Sequence, residues 1–114
     1  MLKVPQDQFG SPSLVDDIAE ASCRLVEVGA KGIFHVVGPD RMSRYHFAME
    51  VAKVFGLPTQ QILPVTTAQL RQEAQRPLEA GMICDRLVQT LNWNLRGTAE
   101  GLAYLKQTHA YVSI

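Results

Sequence analysis

The chain has 114 residues, 46% of them apolar and 19% charged. That composition excludes a disordered tail and fits one globular domain, able to bury about two-thirds of its unfolded surface. Eleven basic residues balance eleven acidic ones, so no overall field draws in nucleic acid or an anionic membrane, and any anion must be bound by local groups.

Val4 to Ser13 contains two prolines and one glycine and reads as a loop. Ser13 is placed to cap a helix, with Asp16 and Asp17 complementing the positive end of its dipole. Leu14, Ile18, Ala21 and Leu25 fall on one face at helical spacing, flanked by Val15, Ala19, Ser22 and Val26. Gly29 is the natural stop. "GIFHVVG", Gly32 to Gly38, is short, β-branched and aromatic, and reads as a strand buried on both faces. "PDRMS" is a turn. Ser43 can cap a second helix carrying Ala48, Val51, Ala52 and Phe55; Gly56 ends it and Pro58 forbids continuation.

Ile62 to Thr67 reads as extended, an edge strand at most, because Pro64 excludes a central one. Thr66 and Gln69 have capping-box spacing, predicting a short helix to about Gln75. Pro77 ends it and pushes Arg76 toward an extended conformation. Asp85 can cap a further short helix with Leu87, Val88 and Leu91. Asn94 can cap the last, with Leu95, Ala99, Leu102 and Ala103 inward. The tail from Thr108 gives no clear signal. Only one strand is strong, and a strand apolar on both faces needs neighbours. The expectation is therefore a piece of a larger α/β protein, with exposed apolar surface at Ile33–Val37 or Leu14–Val26 available for self-association.

No apolar run reaches the ~20 residues that span a bilayer, and "MLKVPQDQFG" lacks the apolar core of a signal peptide. A soluble, cytoplasmic chain with no membrane partner is expected. Cys23 and Cys84 make neither a zinc pattern nor a Cys-x-x-Cys motif, which suits reduced thiols.

Catalytic signatures are sparse. The sequence has no Gly-rich phosphate loop, no Gly-x-Ser-x-Gly elbow and no His-Glu-x-x-His site. Neither Tyr45 nor Tyr104 has a lysine four residues on. His35 reads as a satisfied histidine within the apolar strand, His46 as a rim residue of the second helix, and His109 lies near the C-terminus. None has a partner at metal-ligand spacing. Arg76 has two readings. One is a surface cation at a helix end; the other is a guanidinium presented by a proline-fixed loop to a phosphate or carboxylate. Gln8 and Gly10 likewise either build a turn, Gly10 supplying an unusual backbone angle, or line a polar ligand's slot.

Three stretches occur together in order: "DQFGSPSLVDDIA", "GIFHVVGPDRMSRYHFAMEVAKVFG" and "ILPVTTAQLRQEAQRPLEAGMICDRLVQTLNW". In that order they resemble the C-terminal part of dTDP-4-dehydrorhamnose reductase and related extended short-chain dehydrogenases, over about Val4 to Leu105. The resemblance implies an α/β fold, a helix-rich substrate-binding portion with few short strands, with residues 1–114 forming one such domain and the Rossmann part missing. It implies a nucleotide-sugar partner such as dTDP-4-dehydro-L-rhamnose, bound by Gln8, Gly10 and Arg76, and an upstream dinucleotide-binding domain of the same protein. No catalytic residue and no cofactor site is implied here; NADPH or NADH would belong to the parent, as would the Tyr-x-x-x-Lys pair. Regulatory subunits of methionine adenosyltransferase look similar, so a non-catalytic interaction role is the alternative. Departures from the family pattern are "LEAGMICD" after Arg-Pro, and Asn92 where relatives have glycine before tryptophan.

Overall fold

The computed structural model describes residues 1–108, so His109 and the tail lie outside the described residues. The elements in chain order are β1 Leu2–Pro5, β2 Phe9–Gly10, α1 Val15–Glu27, β3 Met42–Ser43, α2 Arg44–Phe55, a 3₁₀ turn Thr59–Gln61, β4 Ile62–Val65, α3 Thr67–Leu70, α4 Asp85–Leu91 and α5 Thr98–Thr108. This is the expected α/β, helix-rich arrangement with few short strands.

Two small sheets carry the strands. β1 lies parallel to β4, with Leu2 opposite Ile62 and Pro5 opposite Val65. β2 lies antiparallel to β3, with Phe9 opposite Ser43 and Gly10 opposite Met42. The stretch read as a loop, Val4 to Ser13, therefore contains half of β1 and all of β2. Pro5 hid this: like Pro64 of β4, it sits in a two-stranded sheet, where every strand is an edge and the missing N–H can face away.

The main core joins Ala21 of α1, Val37, Cys84, Leu87 of α4 and Leu95, with Ile18, Leu25, Phe34, Val36 and Trp93 packed around it. α2 packs separately on β1, β4 and α5. α1 ends as expected. Gly29 at φ 67° donates to the carbonyl of Val26, and Ala30 donates to that of Leu25, which closes a Schellman motif. Ser43 caps α2 by accepting from the His46 N–H, and Gly56 at φ 66° closes it. The capping box of Thr66 and Gln69 is present, and Asn92 takes the left-handed conformation at φ 48°.

Several boundaries differ. Leu14, not Ser13, is the N-cap of α1; the Ser13 hydroxyl instead donates to the carbonyl of Ser11 and accepts from the Gly38 N–H. α3 stops at Leu70 because Arg71 turns left-handed at φ 49°, well before Pro77. Asp85 is the first residue of α4, and Cys84 is its cap. Asn94 spends its Oδ1 on the N–H of Leu95, and α5 begins only at Thr98, whose N–H donates to Asp40 Oδ2. Gly101 and Leu102 face inward, whereas Ala99 and Ala103 are exposed.

The largest difference is Gly32 to Gly38. It forms no ladder among the described residues. Arg86 of α4 holds it instead, donating to the carbonyls of Ile33 and Lys31 and stacking on Phe34. Coverage is uneven: Val37 is buried and Phe34 and Val36 are partly buried, while Ile33 is 79% exposed and His35 is also exposed, contrary to its reading as a satisfied residue of a buried strand. Val15, Val26 and Val28 on and just after α1 are exposed too. Both regions expected to carry uncovered apolar surface therefore do so. Cys23 and Cys84 are free thiols. Among the described residues no helix is long and apolar enough to cross a membrane.

Candidate functional site: a cleft around β2

β2 is the hinge of the site. On one edge it pairs with β3, and the Arg44 N–H at the start of α2 donates to the carbonyl of Gln8 at 2.9 Å. On the other edge Phe9 donates to the carbonyl of Leu78 and accepts from the Ala80 N–H. Residues 78–80 thus form a third extended piece, bridged at Phe9 and Glu79. Two further ties fix it. Arg41 pairs with Glu79 and stacks on the Phe9 ring, 4.6 Å from its centroid. Ser11 Oγ accepts from the Met82 N–H at 3.2 Å.

An open cleft of about 500 Å³ lies along this hinge, lined by Gln8 to Ser13, Met42 to Arg44, Phe47, Arg76, Pro77 and Ala80. Gln8, Gly10 and Arg76, the three residues singled out from sequence, are brought together here. Arg76 lies outside any helix, two residues before the clamped piece, and is exposed. Among the described residues no acidic one lines the cleft. A second concavity on the other side of Arg76 is lined by Asp7, Thr67, Arg71, Gln72 and Gln75. Its carboxylate makes it the poorer place for an anion.

Gln8 is 4% exposed. Both amide hydrogens are committed, to Thr67 Oγ1 at 3.1 Å and Gln72 Oε1 at 3.0 Å. What it can still offer the cleft is an acceptor oxygen, which suits a sugar hydroxyl rather than a phosphate. Gly10 does not have the unusual backbone angle considered from sequence, since its φ is not positive. An added Cβ would meet the Ala80 carbonyl at 3.5 Å, an ordinary contact. Gly10→Ala is accordingly expected to leave unfolding free energy unchanged or raise it by about 0.4–1 kcal/mol, measured by urea denaturation. A loss above that range would mean that Gly10 is needed for the fold. Arg44 is not singled out by the sequence; the pairing of β2 with β3 brings it to the cleft.

Asp7 anchors this hinge to α3. Its carboxylate accepts from the Thr67 hydroxyl at 2.7 Å and the Thr67 N–H at 2.9 Å. The hydroxyl first, and the amide second, hold its pKa below the ordinary 3.8. A lowered carboxyl contributes its stability above 3.8 and loses it as pH falls through the folded value. Asp7→Asn should therefore flatten the fall in stability below pH 3.8, seen in urea midpoints on either side of that pH. An unchanged acid limb would assign the fall to other groups.

Among the described residues no group of His, Cys, Asp and Glu could hold a metal ion, and none is arranged as a nucleophile with a base. What the arrangement can do is bind: a guanidinium, an acceptor amide and apolar walls from Phe9, Phe47 and Pro77 along one groove.

The family described as RmlD substrate binding domain matches residues 1–110. The chain is 35% identical over 81 residues to methionine adenosyltransferase 2 subunit beta of Bos taurus, covering 67% of this chain and 24% of that one. It is 36% identical over 74 residues to dTDP-4-dehydrorhamnose reductase of Mycobacterium tuberculosis (strain CDC 1551 / Oshkosh), covering 64% and 24%. In structure it resembles the dTDP-4-dehydrorhamnose reductase of Bacillus anthracis str. Ames in complex with NADP. The TM-score is 0.86 over 95% of this chain and 38% of that one, at 24% identity, a likeness that speaks for the fold. The chain spans about a quarter of the length of the curated relatives it matches.

Proposed function

The chain belongs to the RmlD substrate binding domain family, the substrate-binding part of dTDP-4-dehydrorhamnose reductase-like proteins, and from that premise we propose that it holds a nucleotide sugar for such a reductase. The observation that carries this reading is Arg76. It lines an open cleft in which no acid stands among the described residues, two residues before a piece clamped to β2 by two main-chain hydrogen bonds. A guanidinium matches two oxygens of a diphosphate at once. Gln8 Oε1 would accept from a sugar or nucleoside hydroxyl, and Gly10, lacking a side chain, leaves the groove open beside it.

Residues 1–114 act in this reading as one substrate-holding domain that does no chemistry of its own. NADPH or NADH supplies the hydride in the parent protein, and no residue of this chain is assigned to it. The contribution here is positional: gripping the remote nucleotide and diphosphate orients the sugar ketone, and that binding energy is used at the reacting carbon. The substrate is of the dTDP-4-dehydro-L-rhamnose type, the setting cytoplasmic, and the exposed apolar faces of α1 and residues 33–37 would meet the parent's dinucleotide-binding domain or a second copy.

A calorimetric titration of the chain with dTDP and dTDP-L-rhamnose tests this. Saturable binding of both is expected. No heat with either, under conditions where the chain is folded by circular dichroism, removes the reading for this chain. The similarity to methionine adenosyltransferase 2 subunit beta favours a second reading, a non-catalytic interaction module. A parent with an intact Gly-rich loop and Tyr-x-x-x-Lys pair supports the reductase; a parent lacking both supports the interaction module.

A further inference from the structure

We propose that Arg44 is a second phosphate-binding cation of this cleft, and that with Arg76 it makes the cleft select nucleoside diphosphates over monophosphates. The inference rests on the nucleotide-sugar reading and adds to it a residue and a basis for selectivity.

The arginines divide into two groups. Arg24, Arg41 and Arg96 each pair with a carboxylate, and Arg86 donates to two carbonyls. All four also stack on an aromatic ring. The guanidiniums of Arg44, Arg71 and Arg76 have no such partner among the described residues. Arg71 lies beside Asp7 in the second concavity. The other two line one cleft, and among the described residues no carboxylate lines it with them. In a chain of zero formal net charge, this is a local concentration of uncompensated positive charge.

Their placement fits a ligand with two anionic groups. β2 separates them. Arg44 follows β3 directly on one edge, its N–H bonded to the Gln8 carbonyl. Arg76 precedes the piece bonded to Phe9 on the other edge. Arg44 is thus bonded to the residue just before β2, and Arg76 stands two residues before the piece bonded to Phe9. Arg44 is also the first residue of α2, whose first turn contains no acid, a position where the helix dipole disfavours a cation. A diphosphate can give one phosphate to each guanidinium, whereas a monophosphate can satisfy only one fully.

The test is a calorimetric comparison of dTDP and dTMP on the intact chain, Arg44→Gln, Arg44→Lys and Arg76→Gln. Both arginines are exposed, so the variants should fold, which circular dichroism checks. The intact chain should prefer dTDP by about tenfold or more. Arg44→Gln should weaken dTDP by about tenfold and change dTMP by less than about twofold, collapsing the preference; Arg44→Lys should retain part of it. If Arg44→Gln leaves dTDP affinity unchanged while Arg76→Gln loses it, the inference is overturned and the nucleotide-sugar reading stands. If dTDP does not bind the intact chain, both fall.

Discussion

Arg76→Gln is expected to weaken dTDP-L-rhamnose binding by about 10- to 100-fold without changing stability by more than about 0.5 kcal/mol. The size follows from charge. A hydrogen bond to an ionised group contributes about 1.5–3 kcal/mol, and a bidentate guanidinium makes two that share one geometry. Arg76 is exposed in the unliganded chain, so part of this depends on how far the ligand itself excludes water, which favours the lower half of the range. Stability should hardly move because the clamp on this segment is made by Phe9, Ser11 and Arg41, not by the Arg76 side chain. Calorimetry gives the first quantity and urea denaturation the second. A variant that binds normally would return Arg76 to an ordinary surface cation.

Gly38→Ala is expected to destabilise the chain by about 1–3 kcal/mol, toward the upper end. An added Cβ would lie 2.1 Å from the Pro12 carbonyl oxygen, a backbone atom that cannot simply rotate away. The Gly38 N–H also donates to Ser13 Oγ at 2.8 Å, so pushing the two segments apart loses that bond. Pro12 and Ser13 line the cleft, and ligand binding should weaken alongside stability. Ser13→Ala is the control: it removes the hydrogen bond without the clash and should cost only about 0.5–1.5 kcal/mol. Equal losses in the two variants would contradict the steric account.

The parts of the fold legible in the sequence were those set by nearby residues. Ser43 and Gly56 bound α2, Gly29 ends α1, Thr66 and Gln69 box α3, and Pro64 marks an edge strand; in each case signal and structure lie within a few residues. The failures share a different cause. α5 donates at its start, from the Thr98 N–H, to Asp40, 58 residues away. Asp17, read as complementing its own helix dipole, accepts instead from the N–H and guanidinium of Arg96, 79 residues away. Ser13 resembled a cap until Gly38 claimed its hydroxyl. Periodicity also identified "GIFHVVG" as an apolar extended segment but could not supply the neighbour that would make it a strand. In the site, Arg76 stood out because Pro77 restricts it. Arg44 did not, because an arginine at the start of a helix looks solvated until β2 pairs with β3.

The central claim, that a nucleotide sugar lies along β2 between Arg44 and Arg76, is tested most directly by mapping backbone amide shifts during a titration with dTDP-L-rhamnose. The account predicts saturable changes at Phe9, Gly10, Ser11, Arg44 and Ala80, with Asp7, Gln72 and Gln75 little moved. Changes confined to Asp7, Gln72 and Gln75, or none along β2, would contradict it.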